Sequence, residues 1–309
     1  MGSPVSTSGK VVSAPIPASA SASSVGAPSV VAFDLDGTVL DSVRRTISPR
    51  VRDAFTAAHA AGSLLCVVSG RPINMLGPML MSAPWLDWRI TVNGACVSRA
   101  ADGEVLLRRP IELDQAMDVL DGVKGLHPAW NAFVPEVTFY ENRSFTYLAG
   151  QTAPGDGNVP IPGDEAELKH ILGDVDFVDS IPAELARRHE PVDKLGCSFR
   201  DVAVCDEAET LLLARGDLEV ARMTPYELEL TRAGVTKGSA IDLLCQRLGV
   251  DEQAAVAFGD SGNDLSMTGR ACTFVAVANG TEQVRDAADE VCPSIGDDGV
   301  AQWLEARLA

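Results

Sequence analysis

Five short apolar runs constrain this chain more than any other feature. Ser29–Phe33, Leu64–Val68, Arg89–Val92, Ala254–Phe258 and Thr273–Val277 are rich in aliphatic and β-branched residues, and each ends in a polar turn. Runs this short and continuous suit strands buried on both faces. An amphipathic stretch over 49–60 stops at Gly62, residues 72–81 read as a helix opened by Pro72, and Thr236-Lys-Gly-Ser239 opens another through about Leu248. Strand and helix alternating at this spacing predict an α/β fold with a doubly wound, parallel, Rossmann-like sheet.

Residues 97–232 break the pattern. Val137–Tyr140, Lys194–Phe199, Leu218–Met223 and Tyr226–Leu230 have period-two character, with helices expected near 112–122, 164–172 and 206–215. This stretch reads as a separate α+β domain inserted into the first, with Ala149–Gly163 as a long loop inside it. The parallel core is then expected over 30–96 and 233–309. Residues 1–29 hold nine serines, no acid and one charge, Lys10. Such a composition buries too little apolar surface to repay ordering and reads as a flexible tail. No apolar core follows Lys10 as a secretory signal requires, and the lack of arginine argues against a transit peptide.

Charge and cysteine usage narrow the function. Acidic residues outnumber basic ones 43 to 25, for a net charge of −18. That sign is wrong for gripping nucleic acid or an anionic membrane through a general basic surface, but allows a small anion in a local pocket. No apolar run is long enough to span a bilayer. The 7 cysteines are scattered without a C-x-x-C pair. They read as reduced thiols of a cytoplasmic protein rather than a disulfide framework or zinc site. Oligomeric state is not legible.

In an open parallel sheet, ligands bind beyond the carboxyl ends of the strands. Asp34 and Asp36, Ser69, Asn93, and Asp260 with Asn263 and Asp264 all follow such ends. Each alone has a plainer reading: D-x-D-G as a turn, Ser69-Gly-Arg71 as a helix cap, Lys237 as a solvated lysine. Together they form an acidic cluster that needs a cation, and oxygen ligands without histidine or cysteine favour Mg²⁺ over zinc. Mg²⁺ commonly shares a phosphate oxygen with its substrate, which points to phosphoryl transfer.

Asp34-Leu-Asp-Gly-Thr38, Val68-Ser-Gly-Arg71, Val235-Thr-Lys-Gly238 and Gly259-Asp-Ser-Gly-Asn-Asp264 resemble the four ordered motifs of the haloacid dehalogenase superfamily. The insert between the second and third motifs resembles the type IIB cap of Cof-like sugar phosphatases. Asn93-Gly94, Asn279-Gly280 and Asp298-Gly-Val-Ala301 also fit, although Gly280 stands where relatives commonly carry alanine. The likeness covers about 30–309. It implies Mg²⁺-dependent hydrolysis of a small phosphorylated metabolite, a sugar phosphate above all, through an aspartyl-phosphate.

The resemblance also implies roles. Asp34 is the nucleophile, and Asp36 protonates the leaving alcohol and then activates water. Ser69, Gly70 and Lys237 hold phosphoryl oxygens. Asp34, the Asp36 carbonyl and Asp260 bind the metal, with Asp264 in support and Asn263 ordering the loop. Asn279 is a contact for substrate or Lys237, while Arg71 is read either as a phosphate contact or as a structural ion pair. A phosphomutase would use the same nucleophile and acid, and a phospho-ligand sensor the same pocket. Isomer formation against phosphate release separates the first, and turnover itself separates the second. In the insert, Arg108, Arg109, Arg143, Lys194 and Arg200 read as surface charges. Trp85, Trp88, Trp130 and Trp303 read as packing residues, with Trp130 also a candidate sugar platform.

Overall fold

The structure is a computed structural model that describes residues 27–41, 46–144, 175–270 and 272–309. Most of the expected tail, the loop 149–163 and the helix near 164–172 lie outside those residues. Ser29, expected in the tail, already pairs with the core, its N–H donating to the Ala254 carbonyl at 2.7 Å.

The first half of the chain supplies β1 (Val30–Phe33), β2 (Leu40–Asp41), β3 (Thr46–Ile47), β4 (Leu64–Val68), β5 (Trp88–Thr91), β6 (Cys96–Arg99) and β7 (Val105–Arg108). The insert contributes β8 (Ala129–Val134), β9 (Val137–Glu141), β10 (Val175–Val178), β11 (Lys194–Ser198), β12 (Leu218–Thr224) and β13 (Glu227–Arg232). The chain returns through β14 (Ala255–Gly259), β15 (Thr273–Val277) and β16 (Glu290–Cys292). An eight-stranded sheet has the order β16-β15-β14-β1-β4-β5-β6-β7, parallel from β16 to β5. This is the doubly wound α/β sheet expected.

Alternation along β1 shows why both faces are apolar. Val31 and Phe33 pack toward the helices Pro49–Ala60 and Gly299–Leu308, whereas Val30 and Ala32 pack toward Lys237–Leu248. Phe33 stacks on Phe55 at 4.4 Å between ring centroids. Ser48 caps the first of these helices through Val51 N–H, and Pro49 suits its first turn.

Two expectations need correcting. Residues 72–81 do not form one helix: Gly77 takes φ 82° ahead of Pro78, leaving a 3₁₀ turn at Ile73–Met75 and a single turn at Pro78–Met81. The boundary at 96/97 also falls too early. β6 and β7 turn back antiparallel on the edge of the core sheet, so the second sheet and its helices begin beyond Arg108.

That second sheet has the order β10-β9-β8-β11-β13-β12 and is antiparallel except between β9 and β10. One face, with Trp130, Phe139, Leu195, Cys197, Leu228 and Leu230, packs on helices Leu113–Gly122, Ile181–Arg188 and Val202–Leu213. Trp130 is therefore a packing residue on the helix side, not a platform facing the core. The opposite face lies over the core: Phe133 packs with Val92, Ala95 and Val235. All 7 cysteines are free thiols. No helix among the described residues is long and apolar enough to cross a membrane.

Candidate active site

β1 lies between β14 and β4, so the chain runs outward from β1 one way and later returns on its other side. The reversal falls between β1 and β14, where an open sheet leaves a crevice at its carboxyl end. Asp34 follows β1, Asp260 follows β14, and Asp264 sits on the 3₁₀ turn Gly262–Met267. One carboxylate oxygen from each of the three lies within 4.8 Å of the others.

Lys237 enters this cluster from the first turn of its helix, fixed by a reciprocal cap in which Thr236 accepts from Ser239 N–H and Ser239 accepts from Thr236 N–H. Its ammonium donates to Asp34 Oδ1 at 2.6 Å and to Asp264 Oδ1 at 2.7 Å. Asp34, Ser69, Lys237, Asp260 and Asp264 are each at most 5% exposed. Burial raises the Asp34 carboxyl to about 7; Lys237 opposes the shift, while Asp264 and Asp36 add to it. Burial also raises Asp260 well above the carboxylate range, followed by the charges of Asp34 and Asp264. For Lys237, burial works downward but the two aspartates outweigh it, and its pKa is raised.

Three buried carboxylates thus face one ammonium, a deficit of positive charge that a hard divalent cation fits. The three oxygens do not have equal freedom to ligate. Asp264 Oδ2 accepts from the N–H groups of Asp260 and Ser261 at 2.9 and 3.0 Å, and its other oxygen is on Lys237. Asp264 therefore shapes the loop, leaving Asp34 and Asp260 as the more available ligands. Thr38, to which the sequence reading assigned no role, donates to Asp260 Oδ1 at 2.8 Å. Gly37 makes room for this approach: φ is +82°, and a β-carbon there would stand 2.4 Å from Asp260 Oδ2.

The remaining motif residues surround this centre. Arg71 clamps Asp36, Nε to Oδ2 at 2.7 Å and Nη2 to Oδ1 at 2.5 Å, which forms the ion pair that was one of its two readings. Ser69 Oγ accepts from Arg71 N–H at 3.1 Å. Asn263 Nδ2 donates to Asn93 Oδ1 at 3.1 Å and links the two loops. Of the two contacts expected for Asn279, the one to Lys237 is not formed. Its amide donates to the Gly37 carbonyl at 2.7 Å and accepts from Ile295 N–H at 2.8 Å, tying the first loop to the carboxyl-terminal segment rather than to Lys237.

Lys194 overturns its reading as a surface charge. It is buried, pairs with Glu229, lies 4.2 Å from the Phe133 ring centroid and donates to the Gly70 carbonyl at 2.9 Å. Glu229 accepts from Asn93 Nδ2 at 2.6 Å. The alternation of Lys194, Gly196 and Ser198 against Leu195, Cys197 and Phe199 placed Lys194 off the helix side of its sheet. That face is covered only because the insert docks on the core, which no local pattern shows.

Residues 31–304 match the family model of haloacid dehalogenase-like hydrolases. The chain is 24% identical over 287 residues to phosphatase YwpJ of Bacillus subtilis (strain 168), covering 90% of this chain and 99% of that protein. It is 25% identical over 283 residues to pyridoxal phosphate phosphatase YbhA of Escherichia coli (strain K12), covering 90% and 98%. The solved structure of BT4131, a subclass IIB sugar phosphatase of the same superfamily, has a TM-score of 0.71 at 22% identity, over 90% of this chain and 98% of that one.

Proposed function

The chain belongs to the haloacid dehalogenase-like hydrolase family, and from that premise we propose that it hydrolyses a small phosphomonoester, a sugar phosphate in particular, through an aspartyl-phosphate on Asp34. The observation that carries this reading is the Lys237 ammonium fixed between Asp34 and Asp264 at the sheet's reversal point. It places a buried cation beside a carboxylate where a phosphoryl group would gather negative charge.

An Asp34 oxygen attacks phosphorus as the ester oxygen departs, and Asp36 supplies that oxygen with its proton. Asp36 then takes a proton from water, which attacks the aspartyl-phosphate and releases inorganic phosphate with Asp34 restored. Lys237, Ser69 and the N–H of Gly70 hold the phosphoryl oxygens. Asp34, the Asp36 carbonyl and Asp260, with Asp264 behind them, would hold Mg²⁺, which would supply charge neutralisation for the phosphoryl group. Asp34 and Lys237 are buried while the Asp36 side chain is partly exposed, and we take the inserted sheet, which lies over these loops, as a cap that covers the leaving group.

Phosphate release from a panel of sugar phosphates, nucleotides, phosphoglycolate and pyridoxal phosphate, with and without Mg²⁺, tests this reading. Release that needs Mg²⁺ is expected. Full activity in chelator, or isomer formation without phosphate release, would contradict it.

A further inference from the structure

The inward face of the cap sheet is organised in rows by its strand register. Tyr140 on β9 stands opposite Asn131 on β8, Asn131 opposite Gly196 on β11, and Gly196 opposite Glu229 on β13. Gly196 leaves a gap over which the Asn131 amide lies, since a β-carbon there would be 2.3 Å from Asn131 Oδ1. In the next row Ser198 stands opposite Glu227 and donates to its Oε1 at 3.2 Å. This phenol, carboxamide, hydroxyl and pair of carboxylates form a shelf above the loops of Gly70 and Asn93. Contacts from Lys194 to Gly70 and from Glu229 to Asn93 fix its height.

Its charge balance is equally specific. Among the described residues of this face, Lys194 is the one cation, and it is already committed to Glu229 and the Gly70 carbonyl. Arg71, a guanidinium of the core loops close enough to act on Tyr140, is committed to Asp36. Glu227 accepts from Ser198 and Thr224 hydroxyls, neither of which carries charge. Burial, and next the charge of Glu229, raises its carboxyl, the direction expected where carboxylates outnumber cations.

We propose that this shelf selects an uncharged leaving group rich in hydroxyls, with Glu227, Glu229, Tyr140 and Asn131 as specificity-determining residues, and that it rejects leaving groups carrying a second anion. The proposal rests on the phosphatase reading and narrows it. Carboxylates accept hydrogen bonds from sugar or polyol hydroxyls without needing a countercharge. A carboxylate or second phosphate on the leaving group would meet like charge in a buried site.

Phosphate release by the wild-type protein is compared across hexose and pentitol monophosphates, sugar bisphosphates, phosphoglycolate and nitrophenyl phosphate. The uncharged sugar and polyol esters are expected to exceed the anionic ones in kcat/KM by about tenfold or more. Glu227→Gln, which keeps the shape but loses the charge, is expected to lower kcat/KM on sugar phosphates about tenfold relative to its own rate on nitrophenyl phosphate. Equal or better turnover of phosphoglycolate or a bisphosphate overturns the proposal, as does a Glu227→Gln variant with an unaltered ratio. Release from none of the compounds, nitrophenyl phosphate included, would instead bring down the phosphatase reading, and this proposal with it.

Discussion

Arg71 holds both carboxylate oxygens of Asp36, through Nε at 2.7 Å and Nη2 at 2.5 Å. The same guanidinium donates to the Met75 carbonyl at 3.1 Å, so the clamp is itself anchored. A bidentate fork fixes a carboxylate in direction as well as distance. If Asp36 serves the leaving oxygen, its aim matters most where that oxygen needs a proton. Arg71→Lys, which replaces the fork by a point charge, is expected to lower kcat on alkyl phosphates about tenfold more than on nitrophenyl phosphate. Asp36→Asn should widen that difference to about 10²–10⁴-fold. Parallel losses on both ester types, read by steady-state phosphate release, would take Asp36 out of the acid role.

Asp34→Asn isolates the nucleophile. The amide fills nearly the same volume and can still lie beside Lys237, which keeps its bond to Asp264. Turnover is expected to fall by about 10⁴-fold or more, since a carboxamide cannot form the acyl phosphate. Thermal melting should stay close to wild type, because the variant removes one of several crowded buried carboxylates. Retention of more than a few per cent activity in a clean preparation would assign the attack to another group.

The raised Asp34 and Asp260 carboxyls make a prediction about pH. Asp34 moves from 3.8 to about 7 in the folded protein, so between those values the folded state binds more protons than the unfolded chain. For the metal-free protein these groups therefore favour the fold at low pH, and that contribution is lost as pH rises toward 7. A divalent cation competes with the same protons and is bound best once they have left. The rise in Tm caused by Mg²⁺ should be small near about pH 5.5 and grow to a plateau above about pH 7.5. An increment independent of pH would mean that Mg²⁺ stabilises the protein elsewhere.

How far these features were legible depended on the range of the forces behind them. Asp34, Asp260 and Lys237 follow a buried run or open a helix, so a strand-end rule finds them from a few neighbouring residues. β8 escaped because Trp130, Ala132 and Val134 face the cap helices while Phe133 faces the core. With Ala129 and Phe133 beside Asn131 on the inward side, Ala129–Val134 shows no clean alternation. Asn279 lies 242 residues from the Gly37 carbonyl that its amide holds. Lys194, read as exposed, is buried by the docking of two sheets. In each of these cases the deciding partner is distant in the chain.

Gly262 tests whether the seating of the cap governs turnover. It belongs to the same turn as Asn263 and Asp264, and β12 of the cap rests directly on it. A β-carbon at 262 would stand 2.3 Å from the Arg222 carbonyl oxygen. The obstacle is backbone, which cannot swing aside as a flexible side chain could. Gly262→Ala should therefore lift β12 and strain the contacts from Lys194 to Gly70 and from Glu229 to Asn93, which fix the cap over the core. Position 262 is only half-buried, so the melting temperature should move little. If the inward face of the cap selects the substrate as proposed, activity on sugar phosphates is expected to fall about 10- to 100-fold in kcat/KM. The loss on nitrophenyl phosphate should be smaller, and proteases should cut more readily at the cap–core connections near residues 109–112 and 232–235. If sugar phosphates and nitrophenyl phosphate lose rate equally, the loop of Asp260 and Asp264 has been disturbed rather than the cap. A wild-type rate on both would show that the cap need not sit this close for turnover.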